Sequence, residues 1–402
     1  MITDFSRLFH KVAPVPFTLA YEFARDGRLD AVKGPAITFT RGSGGTYFDS
    51  AGVLQTAGND AARFDHDPAS PFAALGLLIE GARTNVCLQS EDFSTTWTVI
   101  GTPIITANSA AAPDGNTTAD TIEDDDGAAF EHVEQSITVA NDSTEWTFSV
   151  YVKKDSDTSR FPEIQIRFTG GTAVQFSAQL NTNTGATTVR QESGRVSAQD
   201  AGDYWRFVGT QANNGTGNTT LLARIFPAVT TVYGSIETTA TGSIIAWGAQ
   251  VENADSPSSY IATTTVAVTR AVDVATISDL GLLNVAENTW LVEARTALGG
   301  GTQVLGQLDD GDENERIRVE RNASDEIHFI VTDGGVDQAD LNLGTVADDT
   351  DFKVAVAWAA GDFAGSLDGA AIVADAVGTV PIGLTTKRFG RDSAGSYCGA
   401  GR

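Results

Sequence analysis

Short runs of alternating apolar and polar residues fill the middle of the chain. From residue 146 to residue 153 the two kinds of side chain occupy opposite faces of one extended segment: Trp146, Phe148, Val150 and Val152 against Thr147, Ser149, Tyr151 and Lys153. The same spacing returns at Ile164, Ile166 and Phe168, and again between Val174 and Leu180. Since successive side chains of a strand point to opposite faces, this pattern predicts half-buried β-strands.

Two blocks of such strands are separated by a connector rich in Thr, Val and Ala at residues 266–276. In the first block, residues 85–265, Gly, Asn and Asp turns interrupt many short strands, which is typical of a two-sheet antiparallel sandwich. The second block, residues 277–402, repeats the alternation at 290–294, 316–319, 327–331 and 352–358. We therefore predict an all-β fold of tandem antiparallel β-sandwiches of the jelly-roll type.

The first 84 residues differ from both blocks. A short stretch with Phe5, Leu8, Phe9 and Val12 at helical spacing precedes a glycine-dense segment at 39–52. That segment indicates strand, turn and strand, because glycine adopts the backbone angles that tight turns require. Periodic apolar residues are too few here for a large core. We expect residues 1–84 to be an extended arm that docks against another component, with a small independent domain as the alternative.

Composition and charge narrow the choice of partners. The chain has 402 residues, of which 41% are hydrophobic, enough for two or three separate cores. Its 26 basic and 52 acidic residues give a net charge of -26, which disfavours nucleic acid and anionic membranes as partners. The two cysteines, Cys87 and Cys398, form no disulfide framework.

With no signal peptide or apolar run of roughly 18 residues, we expect synthesis in the bacterial cytoplasm followed by assembly into a particle.

Several separate motifs in a fixed order resemble a phage and prophage family of head spike or tail fibre proteins. They lie at residues 39–41 (FTR), 46–49 (TYFD), 63–65 (RFD), 76–85 (GLLIEGARTN), 90–93 (SEDF), 149–153 (SVYVK), 247–252 (WGAQVE), 259–261 (SYI) and 269–273 (TRAVD). The resemblance implies a virion protein whose central region is similar to carbohydrate-binding jelly rolls and whose role is attachment to a bacterial surface. The C-terminal block, with 352–358 (FKVAVAW) and 365–369 (GSLDG), looks like a concanavalin-type lectin or laminin G-like sandwich.

One departure from the lectin-like pattern concerns residues 388–395 (RFGRDSAG). In that family the motif is followed by further strands, whereas this sequence ends at Arg402. A sheet without its last strand has unpaired backbone groups at its edge. We therefore expect a partner chain to complete the C-terminal sandwich by strand addition, with closure by fewer strands as the alternative.

Candidate glycan-binding residues lie on the polar sides of the central strands. Tyr151, Gln165, Arg167 and Gln175 combine an aromatic ring with amide and guanidinium groups, which suits sugar binding on a sheet surface. The alternative is that they are ordinary exposed strand residues.

One acidic loop is a candidate calcium site. Asp309, Asp310, Asp312 and Glu313 place four carboxylates within five positions between two strands, and oxygen-rich loops of this kind bind Ca²⁺. A solvated loop is the alternative, as it is for the acids at 123–126. No other cofactor is expected.

Four charged residues of the N-terminal motifs suggest a structural role. Arg41, Arg63, Glu80 and Arg83 can form ion pairs that fix the arm to the first sandwich. We predict in particular that Arg83 holds Glu80 by two parallel hydrogen bonds.

No enzymatic motif is visible. His10, His66, His132 and His328 are scattered, and no nucleophile elbow is present. The sequence therefore predicts a virion attachment protein and not an enzyme, displayed as a homo-oligomer, with a trimer expected first and a pentamer second. A purely architectural capsid or tail decoration protein and a polysaccharide depolymerase are the alternatives.

Overall fold

The fold is almost entirely β, as predicted. The computed structural model describes residues 19–70, 73–191, 194–299 and 301–395, and the expected helical stretch with Phe5 and Val12 lies outside them. Within the described residues, no helix has the length and apolar character that crossing a membrane requires.

The described part of the N-terminal region, from residue 19 onwards, contains one helical turn and six short strands. They are α1 (Phe23–Asp26), β1 (Thr38–Thr40), β2 (Gly45–Phe48), β3 (Leu54–Ala57), β4 (Phe64–His66), β5 (Ala74–Leu77) and β6 (Arg83–Asn85). Strands β2 and β3 form a hairpin, as the glycine-rich segment predicted, and β4 pairs with β5.

Twelve strands build the central jelly roll. They are β7 (Thr98–Ile100), β8 (Ile104–Ala110), β9 (Ala119–Asp124), β10 (His132–Thr138), β11 (Glu145–Lys153), β12 (Glu163–Thr169), β13 (Val174–Leu180), β14 (Thr187–Gln191), β15 (Arg195–Ala201), β16 (Tyr204–Ala212), β17 (Thr220–Phe226) and β18 (Gly242–Glu252). One six-stranded sheet has the order β14-β13-β12-β17-β10-β7, and the other has the order β15-β16-β11-β18-β9-β8. The alternating apolar residues, such as Phe148, Ile166 and Phe176, fill the core between the two sheets.

Eleven further strands follow the jelly roll. They are β19 (Val268–Arg270), β20 (Val274–Ile277), β21 (Asn288–Arg295), β22 (Gln303–Asp309), β23 (Arg316–Arg321), β24 (Glu326–Asp333), β25 (Val336–Thr345), β26 (Asp351–Ala359), β27 (Asp362–Leu367), β28 (Val373–Asp375) and β29 (Thr386–Phe389). Strands β21-β26-β27-β28 make a four-stranded sheet that packs on a seven-stranded sheet, with Ile317, Phe329, Val354 and Phe363 in the core between them.

The chain completes the C-terminal sandwich with its own strands. The seven-stranded sheet has the order β1-β20-β29-β22-β23-β24-β25, so β29, which carries Arg388, lies between two neighbours. The edge that was expected to be open is therefore paired within the described residues, and strand addition by a partner chain stays a prediction. Connector strand β20 pairs with β29, and arm strand β1 pairs with β20 through Phe39 and Ala275.

The arm therefore docks on its own molecule. Ile37, Phe39 and Ile79 form a small core with Ala275 and Ile277 of β20. Connector strand β19 pairs in addition with arm strand β6. Residues 19–84 therefore share cores with the connector and both sandwiches, and docking of residues 1–84 against another component stays a prediction.

The sheet with β11 at its centre is buried on both faces. On the face away from the jelly-roll core, Tyr151, Tyr204, Trp247 and Tyr260 form a second core with Phe48 and Leu54 of the arm hairpin. Thr147 and Ser149, which were expected to face solvent, are buried here and hydrogen-bonded to Thr210 and Arg206. Alternation predicted the two faces of β11 correctly, but it could not show that a distant segment covers the polar one.

Candidate functional site

A fully buried cluster of charged side chains lies where the arm, the jelly roll and the connector meet. This junction cluster consists of Arg41, Arg63, Glu80, Arg270 and Asp273, each at most 1% exposed. Nη1 of Arg63 donates to Oε2 of Glu80 at 2.7 Å, and Nη2 donates to Oδ2 of Asp273 at 2.5 Å. Nη1 of Arg41 donates to the other oxygen of Asp273 at 3.1 Å, and Nε of Arg270 lies 3.5 Å from Glu80.

The excess positive charge of this cluster is spread over backbone carbonyl groups. Arg41 donates to the carbonyl oxygens of Ser43 and Gly58 at 2.9 and 2.8 Å, and Arg270 donates to that of Gly81 at 2.6 Å. Buried charges are tolerated only when they are paired and hydrogen-bonded in this way.

Glu80 accepts hydrogen bonds from two parts of the chain. Nη1 of Arg63 donates to its carboxylate, as do the backbone N–H and the hydroxyl group of Ser259 at 2.8 and 2.7 Å, while Nε of Arg270 makes no hydrogen bond and contributes its charge. Burial alone would raise the pKa of Glu80, but the two arginines and Ser259 outweigh burial and hold the pKa well below its usual range. The carboxylate therefore stays charged and joins the arm to the loop that follows β18.

The predicted junction residues are only partly brought together. Arg41, Arg63 and Glu80 meet as expected, whereas the predicted pair between Arg83 and Glu80 is wrong. Arg83 is half-buried on β6, and its guanidinium donates only to the neighbouring carbonyl oxygen of Ala82, at 3.5 Å.

Sequence reasoning missed Arg270 and Asp273 as members of the cluster. Both lie in the motif at 269–273, which contributed to the family resemblance but was assigned no structural role. One sequence signal could have indicated a missing carboxylate. The predicted set contained three arginines, Arg41, Arg63 and Arg83, and only one acid, Glu80, so a second carboxylate had to come from elsewhere in the chain.

A polar face covers the outer side of the sheet that contains β12. It is defined by Glu134, Gln165, Arg167, Gln175 and Arg224, on the strands β10, β12, β13 and β17. Arg224 donates to Glu134 and to Gln165, both at 2.7 Å. Arg167 lies directly opposite Gln175 across the pair of strands β12 and β13. Three of the four predicted glycan-binding residues therefore lie on one face of the sheet, although Gln165 is only 5% exposed and not outward-facing as expected.

Arg167 has no partner on this face. Among the described residues no carboxylate lies within 4.0 Å of it, and its Nε atom, although shielded from solvent, makes no hydrogen bond. The side chain as a whole is half-buried. Its guanidinium is thus available to a ligand that approaches the sheet.

Tyr151 does not belong to the polar face. It lies on β11 of the other sheet and is only 2% exposed, so its placement on an outward surface with Gln165, Arg167 and Gln175 is wrong. Its ring packs against Trp247 and Tyr260, with centroids 5.5 and 6.2 Å apart.

Tyr151 instead lines a narrow groove at the junction. Cross-strand pairing places Tyr151, Arg206 and Gln199 side by side on β11, β16 and β15, with the guanidinium 5.5 Å from the centre of the Tyr151 ring. The other walls of this junction groove come from the arm hairpin, the loop at 257–260, and Thr296 to Leu298 with Asp349 of the C-terminal sandwich. Its cavity volume is about 50 Å³.

The acidic loop after β22 does not gather its carboxylates for calcium. Nε and Nη2 of Arg388 donate to the two oxygens of the buried Asp309, at 2.7 and 2.9 Å. Asp310 and Asp312 accept backbone N–H groups of the loop itself. Across the described ranges, no group of three or more His, Cys, Asp or Glu side chains is arranged to hold a metal ion.

Glu313 is likewise held by protein donors. Burial would raise its pKa, but hydrogen bonds from Ser393 and Gln307 and the charge of Arg316 outweigh burial and lower the pKa to about 2. The loop is therefore a set of arginine–carboxylate contacts and not the calcium site that its composition predicted.

Comparison with known proteins adds little to these observations. No family model matches the chain, and no curated protein matches it. Among solved structures, domains LG4-5 of the mouse laminin alpha1 chain are similar to it at 10% identity and a TM-score of 0.24, over 68% of this chain and 85% of that chain. The all-β assignment rests on the sheets described above.

Proposed function

We propose that this chain is a structural protein of a bacteriophage-type particle, a head spike or tail fibre, that attaches the particle to glycans on a bacterial surface. The polar face is the attachment surface in this proposal. The chain acts as a homo-oligomer on the particle, with a trimer expected first and a pentamer second. Repetition of weak sites around an axis then strengthens binding without any new contact.

The observation that supports this function best is the unpartnered guanidinium of Arg167. The protein has 52 acidic residues for 26 basic ones, yet among the described residues no carboxylate pairs with Arg167. Directly across the strand pair from Arg167 lies the half-buried amide of Gln175, whose nitrogen donates to Gln191 and whose oxygen can accept from sugar hydroxyl groups. The order of the sequence motifs supports the virion assignment, since it resembles that of spike and fibre proteins.

The test is binding of the full chain to surface polysaccharides extracted from candidate host bacteria. We expect the double variant Arg167→Ala/Gln175→Ala to bind at least tenfold more weakly than the unchanged chain, because it loses the unpartnered guanidinium of Arg167 and the amide of Gln175. Lys353→Ala is the matched control. It removes one positive charge from an exposed pair with Glu293 on the C-terminal sandwich and should leave binding unchanged.

Three other results would each reject part of the proposal. Failure of the unchanged chain to bind any polysaccharide would favour the purely architectural role. Binding that the double variant retains would place attachment on another surface. Release of new reducing ends from the polysaccharide would indicate a depolymerase.

A further inference from the structure

We infer that the junction groove binds the carboxylate group of an acidic sugar, such as a uronic acid, through Arg206. This site lies on the sheet opposite the polar face. The inference names an acidic class of glycan, and to that extent it rests on the proposed attachment function.

Arg206 is a buried cation without an anionic partner. It is 8% exposed, and among the described residues no carboxylate lies within 4.0 Å of its guanidinium. Nη2 donates to the hydroxyl group of Ser149 at 3.1 Å, while the buried Nε makes no hydrogen bond. An unpaired buried charge is costly, and a bound carboxylate would offset that cost.

The acidic side chains that line the groove are engaged elsewhere. Glu80 belongs to the junction cluster, and Asp349 accepts a hydrogen bond from Arg295 at 2.8 Å. Asp65 accepts one from the backbone N–H of Phe48 at 2.6 Å. The planar fork of Arg206 is therefore the group best suited to hold a carboxylate in this groove.

The neighbours of Arg206 indicate a sugar acid in preference to a simple ion. The half-buried amide of Gln199 lies beside the guanidinium in the cross-strand row, while the guanidinium itself lies over the Tyr151 ring. The amide can exchange hydrogen bonds with the hydroxyl groups of a sugar, which a simple ion lacks.

The size of the groove limits what can enter it. A cavity of about 50 Å³ has room for a few water-sized groups and not for a sugar ring. The carboxylate would therefore occupy the cavity, while the ring stays at its mouth near Gln199 and Asp349. A terminal or side-branch acidic sugar fits this arrangement.

Calorimetric titration of the full chain with galacturonic acid, galactose and acetate tests the inference. Galactose differs from galacturonic acid only in carrying CH₂OH in place of the carboxylate, and acetate supplies the carboxylate alone. We expect galacturonic acid to bind at least tenfold more tightly than either. Arg206→Gln should weaken its binding at least tenfold, and Arg206→Lys less. The control Lys353→Ala should have no effect.

Each contrary result has a distinct meaning. Equal binding of galactose would overturn the role of the charge, and equal binding of acetate would overturn the role of the sugar. If Arg206→Gln does not fold, Gln199→Ala replaces it, with a threefold loss expected and no change counting against the site. Polysaccharide binding without any galacturonic acid binding would overturn this inference and leave the proposed function standing.

Discussion

Charged side chains, and not only apolar ones, form the centre of this molecule. Arg63 contacts Glu80 of the arm and Asp273 of the connector, although 210 residues separate it from Asp273 along the chain. Removing one member of a buried pair leaves the other charged, desolvated and unpaired, which costs far more than losing an exposed pair.

Substitution of Arg63 tests this view of the junction cluster. We expect Arg63→Ala to lower the free energy of unfolding by about 3–5 kcal/mol, since two buried carboxylates lose a partner. Arg83→Ala removes a half-buried arginine from the same region and should change the free energy of unfolding by less than about 0.5 kcal/mol. Urea titration followed by circular dichroism measures both, and equal effects of the two substitutions would contradict the assignment.

The charge of Glu80 also makes stability depend on pH. Its pKa is lowered in the folded chain from an ordinary value of 4.5, so its contribution is fully present above that value and declines as the pH falls below it. The difference in urea midpoint between the unchanged chain and Glu80→Gln should therefore be largest above about pH 5 and shrink towards pH 3. A difference that grows on acidification would reverse the sign of the shift. Glu293→Gln, at an exposed position, is the control.

At the scale of elements, the three-residue strand β1 has an effect out of proportion to its length. It forms one edge of the seven-stranded sheet, covers β20, and places Phe39 in the small core shared with Ala275. An uncovered β20 would present free backbone groups to other chains.

Shortening the side chain of Phe39 should loosen this edge. Phe39→Ala is expected to cost about 3 kcal/mol or more, because a buried aromatic ring is removed from a small core. Hydrogen exchange at the amides of β20 should become at least tenfold faster, and by a larger factor than exchange at the amides of β23 and β24. Val32→Ala, at a position that is 47% exposed, should leave exchange in β20 unchanged. Unaltered protection in the Phe39 variant would show that β1 is not needed there.

The strands themselves were predictable because alternation is a local property. The pattern at 146–153 and 164–168 gave the correct faces for the jelly-roll core. What covers the opposite face of β11 was not predictable, since Phe48 and Leu54 come from a segment roughly a hundred residues away. The sequence correctly grouped Gln165, Arg167 and Gln175 on one face. It did not single out Arg206, because strand pairing places Arg206 beside Tyr151 and Gln199, and that pairing is not visible in the sequence.

For the whole molecule, the junction cluster and β1 tie both sandwiches to one arm. We expect the described chain to unfold in a single transition, with a calorimetric enthalpy equal to the van 't Hoff enthalpy. Two transitions in the unchanged chain would mean that the sandwiches are energetically independent.

The position of β29 between β20 and β22 sets an order of events during biosynthesis. The ribosome synthesises β1 (residues 38–40) and β20 (residues 274–277) before β29 (residues 386–389). Strand β29 must therefore insert between strands that have already been synthesised. At the usual rate of synthesis, β20 waits on the order of ten seconds for its neighbour. Nascent chains on the same messenger are therefore exposed to mispairing through β20 during that interval, and slower translation at low temperature lengthens it.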